Sequence, residues 1–335
     1  MFRLSAKVEI SGDAGSWTFE KITSCEIRSS LSDPADYCRI VLPRKVKWEG
    51  FTSNPLSRGD KIKVWLGYDD DLELAFVGYV MNVSEGFQCV LHCMDEFFIW
   101  RNTQPVDICF NVAVSPSRFL SDLGFDGTIA EFTSVHDVTG YELMEVDPFR
   151  NSVYGGALFL NRLGVFCKFI LDEDSQSSTL AVFDPFENNA AVELNLDSSV
   201  NLIDWRLKFT DPADAKAFVK LGSVESCYLV GSAPVYHEVI LGEDLPGARR
   251  IVDKPWGWSE QMLKSTAEYY YRMLTRGGLS GSVMAFGSPM INITDALRIV
   301  IFEKDFGLYS IDSYKISFSS SGFRQSFRLG YKLSD

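Results

Sequence analysis

Residues 56–68 read LSRGDKIKVWLGY, and residues 74–80 read LAFVGYV. Both segments predict strands, over 61–68 and 74–83, and the run of aspartates between them is a turn signal. Gly59 permits a turn conformation that other residues resist, and Asp60 can hold that turn with a side-chain hydrogen bond. Gly78 allows the second strand to bend. These residues predict two paired, curved strands that follow a tight turn.

Further strand signals surround this pair. Residues 7–10 and 17–19 flank a Gly- and Ser-rich turn and predict a hairpin. Residues 22–29, 37–42 and 87–94 predict three more strands. Short strands at this spacing are typical of a sandwich or a small barrel.

The middle of the chain has a different pattern. Ser115 before Pro116 predicts a capped helix, and Ser152 predicts a second helix that Gly164 would end. Strands at 165–171 and 179–183 follow. This pattern indicates a small mixed α/β unit.

Strand signals return after residue 200, and one amphipathic helix interrupts them. Its apolar stripe is Leu263, Ala267, Tyr270 and Leu274, at spacings of four, three and four residues, with Ser259 as its cap. We therefore predict a mainly β chain with a mixed α/β insert, in which two small β-barrel domains flank an α/β domain. The predicted domains are a first β-barrel at 1–101, the α/β domain at 102–200, and a second β-barrel with the helix at 201–335.

Composition limits the classes of function. The 335 residues are 46% hydrophobic and 23% charged, which indicates a folded chain. There are 32 Lys and Arg against 45 Asp and Glu, a formal net charge of −13, and this balance disfavours wrapping of nucleic acid. No apolar segment is long enough for a membrane span, and the first residues do not resemble a signal peptide. The seven scattered cysteines predict reduced, mostly buried thiols made in a cytoplasm.

Candidate chemical sites are few. Cys89, His92 and Cys93 have metal-ligand side chains, but on one strand His92 points away from the two cysteines. The acidic runs 69–71 and 172–174 lack the spacing of a calcium loop and predict solvated hairpin tips. No nucleophile elbow or phosphate-binding loop is found. We therefore predict no catalytic residue, no cofactor and no metal.

Several segments resemble the baseplate hub proteins of phage tails, of the Mu-like late-control type. The resemblance rests on 56–80 and the preceding 32–43 in the first half, and on 287–300, 307–318 and 322–330 in the second. It covers nearly the whole chain, and it assigns a structural role to nine barrel residues. These are Gly59, Asp60, Gly67, Phe76, Gly78, Gly287, Pro289, Gly322 and Phe323.

The resemblance implies a non-enzymatic hub. Such proteins form a homotrimer whose two barrels per chain make a pseudo-six-fold ring between the tail tube and the central spike protein, beside other baseplate proteins. DNA passes through the lumen without specific binding, and an acidic lumen would repel its phosphates. The implied location is the virion tail baseplate, after assembly in the cytoplasm of a bacterial host.

Two alternatives remain open at this point. One is the hub of a contractile apparatus that injects protein rather than DNA. The other is a carbohydrate-active β protein, for which exposed Trp48, Trp256 and Trp258 would form a sugar platform. Burial of these tryptophans is the competing prediction.

Overall fold

A computed structural model describes residues 3–43, 54–101, 115–131, 152–172, 174–187, 192–211, 215–225, 235–255 and 258–334. Within these ranges the chain is mainly β. No helix of the described residues is long and apolar enough to cross a bilayer.

The first part of the chain consists of strands and ends in one helical turn. Its elements are β1 (Leu4–Gly12), β2 (Gly15–Phe19), β3 (Ser24–Ser30), β4 (Asp33–Val41), β5 (Lys61–Tyr68), β6 (Asp71–Ser84), β7 (Val90–Met94) and α1 (Phe97–Trp100). The predicted hairpin at 7–19 is confirmed, because β1 and β2 pair in antiparallel register. The two strands predicted from residues 56–80 also form an antiparallel pair, β5 with β6.

The middle part mixes helices with short strands. Its elements are α2 (Pro116–Asp122), β8 (Ile129–Glu131), α3 (Val153–Arg162), β9 (Phe166–Asp172), β10 (Ser177–Phe183) and β11 (Glu193–Asp197). Both predicted caps are confirmed: the side chain of Ser115 accepts from the Arg118 amide, and that of Ser152 accepts from the Gly155 amide. Each cap satisfies an amide that has no partner inside its helix.

The last part contains the long amphipathic helix. Its elements are β12 (Leu202–Thr210), β13 (Ala217–Glu225), β14 (Val235–Gly242), β15 (Arg249–Asp253), α4 (Glu260–Leu274), β16 (Gly278–Phe286), β17 (Ala296–Ile301), β18 (Lys304–Ser319) and β19 (Gly322–Ser334). Ser259 caps α4 through the Met262 amide, as predicted. Strands β8, β11 and β15 have no counterpart in the prediction, and the strand predicted near 227–230 lies outside the described residues.

One large sheet contains strands from both ends of the chain. Its order is β12-β16-β19-β18-β3-β4-β7-β6-β5-β1-β2, with β17 also paired to β18 and β11 paired to β17. The pairing of β3 with β18 joins the first part of the chain to the last. Two smaller sheets have the orders β8-β10-β9 and β14-β13-β15. The prediction of a mainly β chain is therefore confirmed, and the arrangement of two small barrels around an α/β domain stays a prediction.

Two principal cores support these sheets. The first lies under the large sheet and includes buried residues from both ends of the chain, such as Val8, Ile62, Ile299 and Phe323. The second packs α2, α3, β9 and β10 against α4 and β13. The helix and strand after residue 200 thus share a core with the middle of the chain, and the domain boundary at residue 200 stays a prediction.

Candidate assembly surface

Five of the nine barrel residues surround the β5–β6 hairpin. Gly59 has a φ of 96°, and the Asp60 carboxylate accepts from the Ser57 amide at 2.8 Å. The ring of Phe76 is buried in the first core. A Cβ at Gly67 or Gly78 would overlap backbone atoms of Asp71 or Met94. Each residue of this group therefore fits one local requirement of the hairpin.

Gly59→Val is expected to lower the free energy of unfolding by about 1 to 3 kcal/mol, because a β-branched residue is strained at positive φ. No other atom lies within 4 Å of a Cβ built at Gly59, so the effect would come from the backbone alone. Urea unfolding measures it. Ser57→Val, an exposed control two residues away, is expected to change stability by less than about 0.5 kcal/mol. Equal stability of Gly59→Val and wild type would show that the turn does not need glycine.

The other four barrel residues lie where β16 leaves the sheet and where β18 turns into β19. A Cβ at Gly287 would lie 2.2 Å from the ring of Phe323, which is fully buried. The carbonyl oxygens of Gly287 and Pro289 both accept from the Gln325 side-chain amide, at 3.0 and 2.7 Å. Gly322 has a φ of 131° in the β18–β19 turn. The chain after β16 therefore depends on close packing of the Phe323 ring against the backbone of Gly287.

The two groups of barrel residues meet at a seam between the first and last parts of the chain. The Tyr68 hydroxyl donates to the Phe323 carbonyl at 2.9 Å, and the two rings lie 5.3 Å apart. The Glu73 carboxylate accepts from the Met290 amide at 2.6 Å and from the Ser288 hydroxyl. No local sequence pattern marks Glu73, because its partners are more than two hundred residues away.

A buried ion pair connects the large sheet to the middle of the chain. Lys168 on β9 is 1% exposed, and its Nζ lies 2.5 Å from Oδ1 of Asp36 on β4. The neighbouring Asp95 carboxylate accepts from the amides of Asp36 and Phe97, at 2.9 and 3.0 Å. Burial raises the pKa of Asp95 well above its ordinary value, and the Asp36 carboxylate raises it further.

This shift predicts a pH dependence of stability. Because the native state holds the Asp95 proton more tightly than the unfolded state, its contribution is complete below the ordinary pKa of about 3.9 and is lost as pH rises through the raised native pKa. Asp95→Asn removes this titration. Over the range from about pH 4 to pH 8, we expect wild-type stability to decline relative to that of Asp95→Asn. Urea unfolding at each pH measures both, and parallel curves would contradict the shift.

The outer face of the large sheet carries basic side chains beside serines. Across four adjacent strands, paired positions place Arg206 beside Ser282, Ser282 beside Arg328, and Arg328 beside Ser313. Arg206, Lys208, Arg276 and Arg328 line one groove of about 620 Å³ on this face. The net charge of −13 therefore conceals a locally cationic surface.

Strand β12 forms one end of the large sheet. Among the described strands it pairs only with β16, so its outer edge is unpaired. Phe209 and Ile203 on this strand are 61% and 39% exposed, and the exposed Phe302 lies beside Trp205 at a ring distance of 5.9 Å. An edge strand with exposed apolar residues is a common site of protein association.

The cysteine and histidine side chains do not converge. On β7 the side chain of His92 is exposed and that of Cys93 is buried, so the two point to opposite faces as predicted. Cys25, Cys38, Cys93 and Cys167 are buried free thiols, and Cys89 is half-buried. Among the described residues, no group of three or more His, Cys, Asp or Glu side chains could hold a metal ion.

Of the three tryptophans considered for a sugar platform, the structure describes Trp258. Trp258 is buried, and its ring lies 6.4 Å from that of Phe159 in the second core. The competing prediction of burial is confirmed for Trp258, which packs against Phe159 of α3 and donates its amide to the Ser223 hydroxyl of β13 at 2.9 Å, so this residue does not support the alternative of a sugar platform. Trp48 and Trp256 lie outside the described residues.

Comparison with known proteins gives matches in structure only. No protein-family model and no curated protein matches the sequence. A tail protein from Neisseria meningitidis MC58 is similar with a TM-score of 0.69 and 13% identity, over 97% of this chain and 96% of that one. The 43 kDa tail protein of prophage MuSo2 from Shewanella oneidensis is similar with a TM-score of 0.65 and 12% identity, over 98% of both chains.

A third match belongs to a secretion apparatus. An Escherichia coli component of the type VI secretion system, itself described as similar to bacteriophage T4 tail proteins, has a TM-score of 0.55 and 10% identity, over 97% of this chain and 76% of that one. The chain therefore has the fold of phage and prophage tail proteins. The resemblance inferred from the sequence is confirmed at the level of the fold.

Proposed function

We propose that the chain is a structural component of the baseplate hub of a phage or prophage tail. The observation that carries this proposal is the match to two tail proteins over almost the full length of both partners. The proposal assigns no enzymatic activity, and it places the chain in the virion tail baseplate after assembly in the cytoplasm of a bacterial host.

In this proposal three copies form a ring, and two small β-barrels per chain give it pseudo-six-fold symmetry between the tail tube and the spike. Cyclic closure of three chains presents six similar units only if each chain contributes two. The continuous sheet supports this arrangement, because the pairing of β3 with β18 places strands from both ends of the chain side by side. The nine barrel residues shape the two hairpins that meet at the seam, and the net acidic charge favours passage of DNA without retention.

The mass of the assembly tests the ring. Three chains of 37.7 kDa weigh about 113 kDa, and each carries a net charge of −13. We expect closure to strengthen as salt screens this repulsion over about 10 Å at ~0.1 M. Light scattering across salt concentrations, with and without the cognate spike, should give a trimer at high salt or with the spike. A stable dimer under every condition would contradict the ring, because two-fold closure cannot present six barrels.

A second candidate function is the hub of a contractile apparatus that injects protein. The similarity to a type VI secretion component favours it. The contents of purified particles separate the two candidates: packaged DNA supports the phage tail, and a protein cargo without DNA supports the injection apparatus.

A further inference from the structure

The outer edge of β12, which has no partner among the described strands, has two chemically different faces. Trp205, Leu207 and Phe209 lie on the side of the first core, opposite Val283, Gly281 and Leu279 of β16. The exposed side chains of Arg206 and Lys208 lie on the other side, opposite Ser282 and Ser280. A strand added to this edge would continue both faces, because its own side chains alternate in the same way.

The basic face extends inward from this edge. The groove of Arg206, Lys208, Arg276 and Arg328 shares Ser282 and Arg328 with a second groove of about 510 Å³. Two ion pairs on this face neutralise cations away from the edge: Arg328 with Asp312 at 3.2 Å, and Lys315 with Glu26 at 2.5 Å. Among the described residues, no carboxylate forms such a pair with Arg206 or Lys208 on β12. Arg206 and Lys208, which lie nearest the open edge, therefore have no acidic partner in the described part of the chain.

Three observations favour a protein segment over other occupants. A peptide backbone satisfies both the outward amides and the outward carbonyls of β12, whereas a polyphosphate accepts from amides but has no donor for the carbonyls. The apolar side of the edge, where Phe209 is 61% exposed, would stay in water against a nucleic acid. Arg206 and Lys208 would repel an identical basic edge from a second copy, and charged edge residues are a common defence against such self-pairing.

We propose that the outer edge of β12 binds an extended segment of a partner protein in which acidic and apolar residues alternate. The acidic side chains would lie over Arg206 and Lys208 and accept charge-assisted hydrogen bonds from them, which are stronger than hydrogen bonds between neutral groups. The apolar ones would cover Phe209. The inference rests on the proposed assembly role, since a hub must hold other tail proteins, and it names the chemistry of one such partner.

A labelled peptide tests the inference on the isolated full-length chain. The probe is acetyl-Glu-Val-Glu-Thr-Glu-Val-Glu-amide with a fluorophore, and binding is followed by anisotropy. We expect saturable binding that weakens with salt. The double variant Arg206→Glu/Lys208→Glu should weaken it at least about tenfold. Lys21→Glu/Arg162→Glu is the matched control, since it changes the net charge equally at two exposed positions, one in the loop between β2 and β3 and one at the end of α3.

Two further peptides separate charge from strand pairing. A peptide with Lys in place of Glu should bind at least about tenfold more weakly. One with Pro in place of the central Thr should also lose affinity, because proline cannot donate to a ladder. Circular dichroism establishes that the variants are folded.

Each contrary result has a definite meaning. Equal peptide affinity of the β12 variant and the control variant would overturn the inference. Tighter binding of an oligothymidine than of the acidic peptide would assign the face to nucleic acid instead. The chain could also associate with itself in a way that the β12 variant abolishes and that the peptide does not inhibit. That result would assign the edge to a second copy. Absence of the chain from tail particles would contradict the proposed function, and it would leave the peptide result unaffected.

Discussion

Lys168→Met is expected to lower the free energy of unfolding by about 3 to 5 kcal/mol. The substitution keeps much of the side-chain volume but removes the one cation within 4 Å of the buried Asp36 carboxylate among the described residues. Asp36 would then lie beside the buried Asp95 without a counter-charge. Removing one partner of a buried pair costs far more than the pair itself contributes, because an unpaired charge remains in a poorly solvated site. Urea unfolding monitored by fluorescence measures the loss.

The matched control is Lys264→Met. Lys264 also forms an ion pair, with Glu260 one helical turn away, but both side chains are more than half exposed. Such a solvent-exposed pair contributes little to stability, because water and salt screen it. In addition, the double variant Lys168→Met/Asp36→Asn should recover part of the loss, since it removes both charges. A Lys168→Met protein as stable as Lys264→Met would show that β9 does not dock on β4 through this pair.

Phe323→Ala is expected to cost about 3 to 5 kcal/mol, as for other large buried aromatic residues. The ring of Phe323 is fully buried and packs with the rings of Tyr68 and Phe318, at 5.3 and 5.5 Å. It also lies against Gly287. Truncation would leave a cavity at the seam between the two parts of the large sheet, and the rigid hairpins around it could not close that cavity.

Phe87→Ala is the matched control, because it makes the same substitution at a side chain that is 70% exposed. We expect it to alter stability by less than about 1 kcal/mol. Thermal or urea unfolding of the two variants under one condition gives the difference directly. Similar stabilities would mean that the seam does not contribute to the first core.

Local patterns predicted the secondary structure well. Strands β5 and β6, the β1–β2 hairpin and the capped starts of α2, α3 and α4 follow from turn residues, caps and periodicity. Each depends on residues that lie close together in the sequence. The short strands β8, β11 and β15 were missed, because they have few residues and are held by pairing with distant strands.

Long-range contacts were not predictable in the same way. The Asp36–Lys168 pair is separated by 132 positions, and Glu73 reaches Met290 across 217. Nothing in the residues around Lys168 distinguishes a buried lysine from a surface one. The pairing of β3 with β18 is equally hidden, because any two strands with one apolar face could pair in that register.

Net charge also gave an incomplete description. A value of −13 correctly describes the chain as a whole, but it gives no information on where the basic residues lie. Arg206, Arg276 and Arg328 come from separate elements and meet only because β12, β16 and β19 are adjacent in the sheet. Sheet order, and not composition, creates the groove.

The proposed position of this chain, as the hub between tail tube and spike, is tested by locating it in native tail particles. Cryo-electron microscopy of tails purified from a producing host, with the chain identified by its fold and by mass spectrometry, gives both location and copy number. We predict three copies in one ring at the junction of tube and spike. Particles that lack the chain, or that carry it only at another place such as along the tube, would contradict the claim.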